Sequence, residues 1–149
     1  MNLIEEASRI DGYLLAISSL KEDGTAFRCV HLGEGGPSGK ASEVAEHFRF
    51  DPGSVELVSE SDSLTPENIP KGLEDWMLNR VRSAVGTAID RRLVSGLVAE
   101  LVGIFQRAPA WFSVARAVPS RPGDQGAFWS IYVFGMDIGS CAIHCSWDD

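Results

Sequence analysis

The chain has 149 residues, 44% of them hydrophobic and 23% charged, a composition that excludes disorder, collagen-like sequence and a coiled-coil rod. That length fits a single globular domain spanning residues 1–149, and a domain of this size buries about 68–70% of its unfolded surface without needing a disulfide or metal. Thirteen Lys and Arg against 21 Asp and Glu give a net charge of −8, which opposes binding to nucleic-acid phosphates and to anionic membranes.

The charge is uneven. Residues 1–76 hold 15 acids and six bases, a net −9, whereas residues 77–149 hold six acids and seven bases, a net +1. Acidity of this kind keeps a protein in solution, and it also steers a basic partner. Three cysteines without a repeating spacing do not make a disulfide framework. Met1-Asn2-Leu3-Ile4-Glu5-Glu6 lacks the basic start and apolar run of a signal peptide. The most apolar stretch, Leu93 to Phe105, contains Glu100 and is too short to span a bilayer. The expected location is therefore a reducing cytoplasm.

In chain order, Asn2 and Glu5 have the spacing of a helix cap, and Leu3, Ile4, Ala7 and Ile10 share a face. This predicts a short helix over 3–10, ended by Asp11-Gly12. Tyr13–Leu20 and Thr25–Leu32 then read as two strands of a hairpin turned at Lys21-Glu22-Asp23-Gly24. Gly33–Gly39 reads as a loop, Ala41–Phe48 as a helix and Val55–Val58 as a short strand. Residues 59–70 read as a polar surface loop, with Thr65-Pro66 suited to starting a helix. Over 71–107 two apolar stripes lie on opposite sides of one helical wheel: Leu73, Met77, Val81, Ala84, Val85 and Ala88, then Leu93, Val94, Leu97, Val98, Leu101, Ile104 and Phe105. Two helices broken near Asp90-Arg91-Arg92 satisfy that pattern, as does one helix threading between two layers; helix-length statistics favour the break. Trp111–Val118, Phe128–Met136 and Cys141–Trp147 read as three strands. The expected fold class is α+β: a mostly antiparallel sheet, made of an N-terminal hairpin and three C-terminal strands, packed against central helices. Thr25–Leu32 and Phe128–Met136 are apolar on both faces, which predicts interior strands or a homodimer covering the second face.

Motifs for chemistry are few. Glu34-Gly35-Gly36-Pro37-Ser38-Gly39-Lys40-Ala41-Ser42 approaches the phosphate-loop pattern, but Glu34 replaces its first Gly and Ala41 its hydroxyl residue. A loop joining a strand to a helix accounts for it. Cys29, His31, Cys141, His144 and Cys145 are residue types that bind zinc, yet Cys141 and Cys145 lie about 13 Å apart on a strand, with His144 on the other side. Buried cysteines behave as small hydrophobes, so no metal and no cofactor is expected. No turn motif presents a nucleophile beside a base. The carboxylate pairs Glu5/Glu6, Glu43/Glu46 and Glu74/Asp75 have the spacing of solvated faces. Trp76 and Trp129 suit a core, whereas Trp147, followed by Asp148-Asp149, suits an interface.

Two functions remain. The first is a small acidic protein-binding module, inhibitor-, immunity- or chaperone-like, with a protein partner carrying basic groups. Its interface candidates are Glu56, Glu60, Asp62, Glu67, Glu74, Asp75 and Trp147. The second is a small-molecule-binding protein or enzyme with a pocket between sheet and helices, using Cys29, His31 and Arg116.

Overall fold

The computed structural model describes residues 2–20, 25–59, 87–106, 111–118, 128–136 and 139–147. Their elements are α1 (Leu3–Ser19), β1 (Thr25–Leu32), α2 (Lys40–His47), β2 (Val55–Ser59), α3 (Thr87–Phe105), β3 (Trp111–Ala117), β4 (Phe128–Met136) and β5 (Gly139–Trp147).

Helix α1 starts where its cap predicts, with Asn2 Oδ1 accepting from the Ile4 amide at 2.9 Å. It does not stop at Asp11-Gly12. The spacing Leu3, Ala7, Ile10 continues through Leu14 and Ile17, and all five are buried. That helical period outweighs one mid-helix glycine, which costs about 1 kcal/mol. The expected N-terminal hairpin is therefore corrected: Tyr13–Ser19 is helix, and Thr25–Leu32 alone is strand.

The five strands form one antiparallel sheet in the order β1-β5-β4-β3-β2, so the α+β architecture holds. Consecutive strands β2 to β5 are neighbours in the sheet, and β1 joins at the far side of β5. The apolar character of both faces of β4 is answered within the chain. On one face α1 and α3 bury Leu14, Ile17, Leu97 and Leu101 against Phe27, Phe134 and Ile143. On the other, Val44 and Ala45 of α2, with Phe50 beyond it, pack on Leu32, Ile131, Val133 and Ala142. β4 is interior as expected. β1, expected to be interior or covered by a second copy for the same reason, is an edge strand among the described residues; Phe27 and Cys29 are buried on one face, while on the other Leu32 and Val30 pack and Ala26 and Arg28 stay exposed.

Helix α3 runs through Asp90-Arg91-Arg92 without interruption, so the expected break at those residues is absent. Its buried side is the second predicted stripe, with Val94, Leu97, Leu101 and Ile104 in the core. Of the first stripe, Leu73 to Val85 fall outside the described residues. α3 lies against α1, where Arg9 reaches Glu100 at 3.6 Å and the Tyr13 ring covers Gly96. These two contacts, running in opposite sequence directions, make the helix pair antiparallel.

Candidate functional site

Among the interface candidates, Glu56 is the one acid whose side chain is described. It sits on β2 opposite Arg116 of β3 and accepts from the Arg116 Nε at 2.6 Å. Both side chains are well exposed, so solvent screens the pair and it adds little stability. Trp147 closes β5, its backbone paired with Thr25 on one side and Phe128 on the other. Glu60, Asp62, Glu67, Glu74 and Asp75 lie outside the described residues.

The pocket candidates separate. Cys29 and His31 share one face of β1, and His31 stands opposite Cys141 of β5. Arg116 is on β3, with β5 and β4 between it and β1, a span of about 14 Å at the usual strand spacing. Its guanidinium is engaged with Glu56. The three side chains therefore do not converge on one site.

The thiols are poorly suited to nucleophilic work. Cys29, Cys141 and Cys145 are free and buried. A hydrogen bond with Cys141, reinforced by burial, raises the Cys29 pKa well above that of an ordinary thiol. Burial alone drives Cys145 upward as well. A neutral thiol is neither the nucleophile nor the metal ligand that a thiolate would be. Among the described residues, no group of three or more His, Cys, Asp or Glu is placed to hold a metal ion.

The phosphate-loop near miss has a structural use. The Lys40 side chain, 3% exposed, donates from Nζ to the Glu34 carbonyl at 2.7 Å and to Glu43 Oε1 at 2.9 Å. Glu43 also accepts from the Gly33 amide at 3.1 Å. These bonds lower the pKa of the Glu43 carboxyl from its ordinary value, the Lys40 hydrogen bond being the main cause. The ammonium that would meet a phosphate is turned inward to tie the loop to α2. Gly39, in the left-handed region at φ 84°, makes the turn into that helix.

Two residues with specific roles escaped the sequence reading. Asp11, read as part of a helix stop, accepts from the Cys29 amide at 2.7 Å and from Arg28 at 3.0 and 3.3 Å. A lone acid inside a helical apolar period was its only signal. His144 packs against Phe48 with ring centroids 4.6 Å apart and tilted at 44°, and meets Phe50 edge-on at 5.7 Å; nothing local in the sequence brings residues so far apart in the chain together.

Among the described residues, Arg9 is thus tied to Glu100, Arg28 to Asp11, Lys40 to Glu43 and Arg116 to Glu56. Glu5, Glu34, Glu46 and Asp51 stay exposed. No described helix is long and apolar enough to cross a membrane. No protein-family model matches the chain, and comparison with curated proteins and with solved structures gives no match either.

Proposed function

We propose that this chain is a small acidic cytosolic binding module that acts on a protein partner through its surface, in the manner of an inhibitor, immunity or chaperone protein. The observation that supports this reading is the distribution of charge. A net −9 is concentrated in residues 1–76, and within the fold Arg28 and Lys40 of that segment are already committed to Asp11 and Glu43. The remaining acids outnumber the remaining bases, so the surface of this half attracts a basic partner. Charges of this sort raise the association rate and select the partner; apolar contacts such as an aromatic at Trp147 supply the lasting attachment.

The test compares two baits in the same cell extract. One is the native chain, and the other carries Glu60→Gln, Asp62→Gln and Glu67→Gln. The proposal expects proteins of high pI on the native bait at low salt, depleted on the substituted bait. Identical captured sets on both baits would contradict it.

A further inference from the structure

Among the described residues, β1 lies at one edge of the sheet and pairs with β5 alone. An edge strand turns alternate amides outward, and such a row templates the addition of another strand. On β1, the outward amides include those of Phe27 and Cys29, and both are filled from α1. The Phe27 amide donates to Ser18 Oγ at 3.0 Å, and the Cys29 amide donates to Asp11 Oδ1 at 2.7 Å. Ser18 gives its own proton to the Leu14 carbonyl at 2.8 Å, which leaves its oxygen lone pairs for Phe27. Arg28 steadies Asp11 with two bonds, at 3.0 and 3.3 Å. Just past the strand, the Gly33 amide is filled in the same way by Glu43 of α2.

We propose that Asp11 and Ser18 guard this edge: they occupy the hydrogen-bonding positions an added strand would use, and without them β1 pairs with β1 of a second copy of this chain. Self-pairing is the association that is always available, because every copy carries the same edge. A two-fold axis then matches the edge to itself. The helix acceptors are short and fixed to a packed element, so two side chains fill two successive outward amides in the middle of the edge. This inference does not depend on the partner proposed above, whose candidate contacts include neither Asp11 nor Ser18.

The experiment compares two double variants with the native chain at matched concentrations. Asp11→Ala with Ser18→Ala removes both acceptors. Asp11→Asn with Ser18→Thr keeps an oxygen at each place. Amide hydrogen exchange is read at Phe27 and Cys29, and molar mass by light scattering. At low concentration, where the chain is monomeric, the alanine pair is expected to lose about tenfold protection at those amides; as concentration rises it is expected to form a species of twice the native mass, in which pairing between the two β1 strands protects them again. The Asn/Thr pair is expected to behave as the native chain does. Should the alanine pair fail to fold, Asp11→Ala and Ser18→Ala are read singly, with exchange followed at Cys29 and at Phe27 respectively, and at least one of the two is expected to self-associate more than the native chain. A folded variant lacking the acceptors that keeps native mass overturns the proposal, whether or not the amides lose protection. Self-association by the Asn/Thr pair overturns it as well.

Discussion

Lys40 shows how one side chain decides between two readings of a motif. Its ammonium is almost fully covered, whereas the Glu43 side chain is 39% exposed. The two partners should therefore respond unequally to substitution. Glu43→Gln leaves a buried cation facing a neutral amide, and is expected to cost about 1–2 kcal/mol, less than a fully buried pair because water reaches Glu43. Lys40→Met leaves a carboxylate that solvent can hydrate, and should cost about half as much. Urea unfolding of both variants at neutral pH measures the difference, and equal losses would contradict this asymmetry. Glu43 also carries a pH signature. Its carboxyl is held below the ordinary range, so the stabilisation is complete above the unfolded value near about 4.3 and fades as pH falls through the lower folded value. Native protein should lose more stability than Glu43→Gln on acidification from about pH 5 to about pH 3. Because Lys40 is bonded to Glu34 and Glu43, ATP with Mg²⁺ is expected to leave the melting temperature unchanged. A rise of several degrees that Lys40→Ala abolishes would show that the loop does hold phosphate.

Helix α1 and its contact with α3 show what a local pattern can and cannot convey. The 3.6-residue period was present in the sequence from Leu3 to Ile17, but Gly12 and the β-like run Tyr13–Leu20 pointed to a turn and a strand. Burial against the sheet settled the matter, because only a helix places Ala7, Ile10, Leu14 and Ile17 on one face. α3 was legible for a similar reason: four of its stripe residues are core residues. The close approach of the two helices was not legible, since it depends on Gly96 lying beneath a ring contributed from far away in sequence. A Cβ at Gly96 would stand 2.9 Å from Tyr13 Cε1 and 3.2 Å from Cζ. Gly96→Ala is therefore expected to destabilise by about 1 kcal/mol despite the higher helix propensity of alanine. In a Tyr13→Ala background the same substitution should stabilise, by up to about 1 kcal/mol, because only the propensity gain remains. Thermal or urea unfolding of the four proteins gives the sign directly, and a Gly96→Ala effect that is the same in both backgrounds would contradict the contact.

Across the whole molecule, the sheet was foreseeable in content but not in order. The three C-terminal strands and Val55–Val58 could be read from β-branched and aromatic runs, while the placement of β1 beyond β5 required long-range pairing that no short window contains. The same limit applies to the candidate sites. Cys29 and His31, two residues apart on one strand, share a face by the alternation of a strand, but their separation from Arg116 follows from strand order alone. Charge, by contrast, needs no fold to be counted. The −9 of residues 1–76 acts over a distance set by screening, about 8 Å at physiological salt. The most direct measurement of the central claim is the association rate of the chain with its captured partner, followed by stopped-flow between about 50 and about 500 mM salt. Steering by the acidic half predicts a steep fall in rate with salt, and a slower rate at low salt for the Glu60→Gln, Asp62→Gln, Glu67→Gln protein, with dissociation little changed. Equal association rates for the two proteins at low salt would contradict the claim and leave the acidity as a matter of solubility.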